Sequence, residues 1–405
     1  MKNLKIKTVF GGVCAPQGFI ASGIRAEIKK SKKDIALIYS EVPALATGVF
    51  TKSATVAACV TLDQKQLKRS KTARAILINS GNANACTGER GMMNAKQSIS
   101  TAASALSVKE SQVLVASTGV IGQFLPMDKL TLGIYEAAKI LSKDGNDDAA
   151  EGICTTDTFP KEFAVEIEIG GVPVRVGGIA KGSGMIAPNM ATMLAFITTD
   201  VKISYSLLRK MFKQANDRSF NRITVDGDTS TNDMALILAN GKAENREIKE
   251  GTSDYKLFYS ALEHVLVVLS KMIVKDGEGA TKFVEVTVTG AKSTTEAEIA
   301  CRTICNSPLV KTAIHGEDAN WGRILAAVGR SGIKFNPDQT EIYFDNLRIL
   351  GKKYDINFSE EKAKEILQKK EITITVDLNG GKHSATFWTC DLSAEYVRIN
   401  ASYRS

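Results

Sequence analysis

The sequence predicts a mixed α/β fold, on three observations: β-branched runs of strand length, amphipathic runs of helix length alternating with them, and paired glycines where the chain would reverse. IALIYS at 35–40, AILINS at 75–80 and QVLVAST at 112–118 are short and dominated by aliphatic residues, as buried strands require. Residues 94–106 and 127–141 place their small and apolar residues at helical spacing. AVEIEI and VPVRVGGIA flank Gly170 and Gly171, and adjacent glycines supply the positive φ angles of a tight hairpin. LAFITTD reads as the next strand. Helices are expected around 205–220, 256–274, 293–305 and 359–369, with strands at 283–289, 373–377 and 384–389. No internal repeat, low-complexity tract or Pro/Ser linker divides the 405 residues, so composition marks no domain boundary.

Composition narrows the function. With 44% hydrophobic and 24% charged residues the chain is of ordinary globular make-up. No uninterrupted apolar run approaches the roughly 18 to 20 residues that span a bilayer, and MKNLKIKTVFGGVCAPQGF lacks the pattern of a signal peptide. Neither a membrane nor export is therefore expected. Seven cysteines without regular spacing fit a reducing cytoplasm, and Cys301 and Cys305 in CRTIC read as core thiols on a helix. The net charge of +8 comes from stretches such as KKSKKD and KQLKRSK, which read as solvated faces. Without interleaved aromatics they do not make a nucleic-acid surface, although a small anionic substrate would be favoured.

Cofactor motifs are also missing. DGEGATK and TGAKST miss the P-loop spacing, and no G-x-G-x-x-G opens a helix. His264, His315 and His383 stand far apart and match no ligand pattern, so no metal or other cofactor is expected and a histidine base has little support.

The segment KGSGMIAPNMATMLAFITTD, 181–200, crowds Gly182, Gly184, Pro188 and Asn189 ahead of an apolar strand. Those residues alone would make an ordinary turn. Thr192 adds chemistry, because it follows small Ala191 and its hydroxyl can reach the preceding carbonyl. An N-to-O acyl shift would turn the Ala191–Thr192 amide into an ester, and hydrolysis would free the threonine α-amine. That amine, with a reference pKa of roughly 7.7 to 8.0, can take the Oγ proton and replace the missing histidine.

PNMATMLAFITTD is similar to the cleavage motif of the ornithine acetyltransferases, the glutamate N-acetyltransferases of arginine biosynthesis. VFGGVCAPQGFIASGI near the start, NSGNANACTG at 79–88, STGVIG at 117–122, TTDT at 155–158, DGDTSTND at 226–233, DGEGATKF at 276–283 and HGEDANWGRI at 315–324 also resemble that family, in its order. The likeness covers essentially the whole chain.

This resemblance implies a cytoplasmic precursor cut into an α chain, 1–191, and a β chain, 192–405, assembled as an α2β2 heterotetramer. It implies an α/β sandwich shared in outline with self-processing aminopeptidases. The implied reaction moves acetyl from N2-acetyl-L-ornithine to L-glutamate through acetyl-Thr192, with acetyl-CoA as a further co-substrate in some members. Thr118 and Gly119 are implied as oxyanion donors. Thr155, Lys181, Thr192, Glu278, Asn400 and Ser405 are implied as substrate contacts; Thr156 is a near-equivalent of Thr155, and Ser405 stands where the family usually has threonine. Two other functions fit the residues less well: an N-terminal-nucleophile amidohydrolase or aminopeptidase, in which water is the acceptor, and a non-catalytic metabolite-binding protein.

Overall fold

The computed structural model describes residues 5–187 and 193–402, and these form two compact units. The first runs to Asn221 and includes Asp228–Ile273; the second takes Arg222–Gly227 and the chain from Val274 onward. Composition gave no sign of this division for a physical reason. One crossing, between Ile273 and Val274, falls inside a continuous helix, Ser253–Lys275, rather than in a linker.

Among the described residues the first unit holds a sheet of nine strands: β1 (Lys7–Val9), β2 (Phe19–Ile24), β3 (Ile35–Phe50), β4 (Thr72–Asn82), β5 (Val113–Val120), β6 (Lys161–Ile169), β7 (Val172–Lys181), β8 (Leu194–Thr199) and β9 (Met234–Ala239). Their order is β1-β6-β7-β8-β9-β3-β4-β5, with β2 also paired to β3. Among the described pairs of this sheet, β4 with β5 and β8 with β9 run parallel and the rest antiparallel. The long β3 joins the two halves: Ile35–Ser40 pairs with β2 and Leu45–Phe50 with β9, while a register shift between Tyr39 and Ala44 interrupts its ladder with β4. The β6–β7 hairpin turns on Gly170 and Gly171 at φ 61° and 83°, as their pairing in the sequence predicts.

Helices α1 (Ala58–Arg69), α2 (Gly88–Leu106), α3 (Met127–Lys139), α4 (Asn146–Ile153) and α5 (Tyr205–Asp217) pack on this sheet. In α2 the buried residues are Gly91, Asn94, Ala95, Ser98, Ile99, Ala102 and Ala103, one stripe at the helical period. Strands β8 and β9 are buried at every position, so their apolar runs are continuous rather than alternating. The helix Ser253–Lys275, α6, is long and apolar enough to cross a membrane by length and composition alone. Its Phe258, Leu262, Leu266, Leu269 and Ile273 are instead buried within the protein at intervals of three and four.

The second unit is built on β10 (Phe283–Ala291), β11 (Glu341–Phe344), β12 (Leu347–Leu350), β13 (Glu371–Asp377) and β14 (His383–Cys390), ordered β12-β11-β13-β10-β14. Helices α7 (Thr294–Cys305), α8 (Pro308–His315), α9 (Trp321–Gly329) and α10 (Glu360–Leu367) each begin on a side-chain cap, from Ser293, Ser307, Asn320 and Ser359. The last described helix is α11 (Ala394–Ser402). Cys301 and Cys305 lie in this unit's core, and the Cys301 thiol donates to the Ala385 carbonyl at 3.2 Å.

Candidate active site

The geometry of the first unit gathers at the C-terminal end of β5. Thr118 and Gly119 stand in register with Ser80 and Gly81 of β4, and the ladder then slips, so that Asn82 opposes both Thr118 and Val120. This bulge turns the end of β5 out of the regular pleat. Gly119 sits at φ 129°, and a Cβ there would lie 2.3 Å from the Gly81 carbonyl carbon, so the position requires glycine.

The asparagines of NSGNANACTG and DGDTSTND fix this strand end. Ser117 Oγ donates to Asn79 Oδ1 at 2.7 Å, and Asn79 Nδ2 donates to the Asn82 carbonyl at 2.8 Å. Asn232 Nδ2 donates to the carbonyls of Ala83 and Ser117 at 2.6 and 2.8 Å. Asn79, Asn82, Ser117 and Asn232 are thus a buried hydrogen-bonded scaffold under Thr118.

Lys181 closes β7, and its ammonium donates to Thr118 Oγ1 at 3.5 Å. The Thr118 hydroxyl can accept this bond and still donate its own proton to a developing oxyanion. Asp157 holds the lysine from the other side, with its carboxylate 4.0 Å from Lys181 Nζ and 2.7 Å from Lys161 Nζ. The same carboxylate accepts the backbone N–H groups of Thr155 and Gly182, at 2.8 and 2.7 Å. Burial alone would push the Asp157 carboxyl up, but the ammoniums of Lys181 and Lys161 together with these hydrogen bonds hold it well below the usual carboxylate range.

Neither Asp157 nor Lys161 was named from the sequence. The TTDT motif contained the first, but no pattern ties a carboxylate to lysines four and twenty-four residues away. The structure also corrects the reading of KKSKKD as a solvated face. Lys33 pairs with Asp148 and Glu151, and Asp34 is fully buried, accepting the N–H groups of Ala26 and Lys29. Lys29 Nζ donates to the Cys154 carbonyl at 2.7 Å. This turn folds back on the sheet, so part of the positive charge is structural.

In the second unit Glu278 is 9% exposed and accepts from Asn400 Nδ2 at 2.8 Å. No described lysine or arginine pairs with it. Gly279, at φ 68°, lets the chain pass tightly beneath α11, where a Cβ would meet the Tyr396 amide nitrogen at 2.5 Å. Ser393 Oγ ties the Gly279 carbonyl to the start of α11 at 2.6 Å, and Asn400 Nδ2 also donates to the Tyr396 carbonyl at 3.0 Å. Of the three histidines, His315 bonds Asp391 at 2.7 Å, His264 packs edge-on against Phe163, and His383 lies 3.4 Å from Thr294 Oγ1. Asp391 also takes the Thr281 hydroxyl and the Thr281 and Lys282 amides, which makes this histidine's partner a structural hub.

Thr118, Gly119, Thr155 and Lys181 thus meet at one end of the first unit's sheet, with Thr156 adjoining Thr155, while Glu278 and Asn400 meet in the second unit. Ala191, Thr192 and Ser405 lie outside the described residues. A hydroxyl that accepts from an ammonium, beside a strand-end glycine, is an arrangement with the donors that acyl-transfer chemistry uses.

Comparison with known proteins agrees. The ArgJ family model matches residues 20–405. The chain is 51% identical over 398 residues to the arginine biosynthesis bifunctional protein ArgJ of Symbiobacterium thermophilum, spanning 98% of this chain and 99% of that one. It is 52% identical over 399 residues to the protein of that name from Caldanaerobacter subterraneus subsp. tengcongensis, with the same coverage. The crystal structure of the arginine biosynthesis bifunctional protein ArgJ of Bacillus halodurans matches with a TM-score of 0.51 at 45% identity, covering 52% of this chain and all of that one. The chain belongs to the ArgJ family.

Proposed function

We propose that the chain cleaves itself between Ala191 and Thr192 and carries acetyl on the freed Thr192. The chain is an acyltransferase of arginine biosynthesis that moves acetyl from N2-acetyl-L-ornithine to L-glutamate, giving L-ornithine and N-acetyl-L-glutamate. In the proposed mechanism the Thr192 α-amine takes the Oγ proton, Oγ attacks the acetyl carbonyl, and ornithine leaves. The amine of glutamate then attacks the acetyl ester. Thr118 and the Gly119 amide receive the oxyanion in both half-reactions, and Lys181 polarises Thr118. Glu278, steadied by Asn400, suits the cationic amine of ornithine; Thr155 and Ser405 complete the substrate contacts.

One observation carries this reading. Lys181 stands in register with Leu194 across β7 and β8, so the connection between the strands starts at the lysine that bonds Thr118. Thr192 is two residues before Leu194, and two residues reach no more than about 7 Å. The lysine and the proposed oxyanion donors therefore share the sheet end where β8 begins, two residues after Thr192 in the sequence. The half-length solved chain from Bacillus halodurans supports cleavage, since one product of a cut at residue 191 would span about half of the precursor. Such a cut leaves the products interlocked, because β8 pairs with β7 and β9 pairs with β3 from opposite sides of it.

The proposal extends to an α2β2 assembly of the two products in the cytoplasm, to operation without a bound cofactor, and to acetyl-CoA as an alternative donor. Incubation with acetylornithine, with and without glutamate, tests the transfer. Acetylglutamate forming in step with ornithine is the expected result; acetate released with no acetylglutamate would contradict it.

A further inference from the structure

The established substrates share a group to which the residues discussed so far assign no partner: acetylornithine and glutamate both carry an α-carboxylate. We propose that Lys29, with Lys32 as a secondary cation, forms the site that binds this carboxylate. The assignment rests on the acetyl-transfer reading above.

Position is the first support. The Lys29 stem lies against Gly81, where a Cβ would sit 2.7 Å from Lys29 Cγ, and Gly81 is the β4 residue in register with Gly119. The Lys29 ammonium is fixed at the other end by the Cys154 carbonyl at 2.7 Å, next to Thr155. Lys29 therefore bridges the strand end that carries the oxyanion donors and the loop that carries Thr155. Lys32 Nζ donates to the Asp157 carbonyl at 3.2 Å on that same loop.

Charge is the second. Lys29, Lys32, Lys161 and Lys181 approach this loop, and the carboxylate among them is that of Asp157, which is engaged by Lys161 and Lys181. Neither Lys29 nor Lys32 forms an ion pair with a described carboxylate, whereas neighbouring Lys33 has two. Asp34, the acid nearest in sequence, spends both oxygens on backbone amides. Burial holds the Lys29 ammonium below the ordinary lysine value, with Asp34 offsetting only part of the effect. A half-buried cation with one neutral acceptor has donors left for a carboxylate, and an ion pair there would relieve its desolvation.

The carboxylate stays charged throughout the reaction, so losing its partner should weaken ground state and transition state alike. In Lys29→Met the KM for acetylornithine and for glutamate should rise roughly 10- to 100-fold, as expected for loss of a charge-assisted bond, with kcat within about threefold. Lys29→Arg should restore most of the affinity. The exposed Lys32→Met should raise KM by only about two- to threefold. The second readout is discrimination against N-acetyl-1,4-diaminobutane, the donor without its carboxylate. Wild type should prefer acetylornithine strongly, and Lys29→Met should lose most of that preference; a merely structural tether to Cys154 would leave it intact. Unchanged KM values or undiminished preference in Lys29→Met, with normal wild-type transfer, would overturn the assignment alone. If Lys29→Met does not fold, Lys29→Gln takes its place with the same expected and overturning results, and a wild type indifferent to the donor's carboxylate overturns the assignment. Wild type that transfers no acetyl at all would overturn the underlying reading as well.

Discussion

The two compact units treat charge in opposite ways. In the first, Lys161 and Lys181 converge on the single carboxylate of Asp157, which also holds the amides of Thr155 and Gly182. In the second, Glu278 has no ion pair with a described cation and accepts a hydrogen bond from the Asn400 side-chain amide. The first unit satisfies its buried carboxylate with cations and amides, whereas the second satisfies Glu278 with a neutral amide.

Removing Asp157 should have the largest effect, because its buried carboxylate pairs with the fully buried Lys161 and also holds the Thr155 and Gly182 amides. Asp157→Ala should cost about 3 to 5 kcal/mol in urea unfolding, and a loss under about 1 kcal/mol would show that the pair is not what orders the loop. Next comes the strand end. Thr118→Ala should lower kcat on the order of 100- to 1000-fold with unfolding unchanged, and Gly119→Ala should also disturb folding because its Cβ meets the Gly81 backbone. In the second unit Glu278→Gln should raise the KM for acetylornithine by roughly 10- to 100-fold while stability stays near that of wild type. Equal losses of stability in Asp157→Ala and Glu278→Gln would erase the contrast between the units.

The smallest effect separates two buried carboxylates of the first unit. Asp157 is held low, so it adds stability above its unfolded pKa of about 3.9 that is lost as acid takes the pH down through the folded value. Asp63 on α1 has the opposite sign. Burial raises its carboxyl, one oxygen accepts the Val115 amide, and the other has no partner. Stability should therefore fall as pH rises above about 4. Asp63→Asn keeps the acceptor and should flatten that fall, adding about 1 kcal/mol near neutral pH in a pH series of denaturant melts.

Much of the fold was legible because local signals coincided with tertiary roles. The Gly170-Gly171 hairpin is an example, as are α7 and α10, each placed by its helical period and found to begin on a serine cap. Strand β9 was missed because MALILA is buried on both faces and shows no alternation, and α1 because a charged residue, Asp63, stands in its buried face. The division into units was hidden inside α6. For the site, the resemblance supplied Thr118, Gly119, Thr155 and Lys181, which the structure brings together, and Glu278 with Asn400, which it pairs. Asp157, Lys161 and Lys29 were illegible because each acts through residues far away in sequence.

Intact-mass measurement of the purified wild type and Thr192→Ala under denaturing conditions, paired with the transfer assay, tests the reading most simply. Wild type should give two polypeptides, one beginning TMLAF, and should form acetylglutamate; Thr192→Ala should give one uncut chain of 405 residues and no transfer. A wild type that stays uncut yet moves acetyl from acetylornithine to glutamate would contradict it.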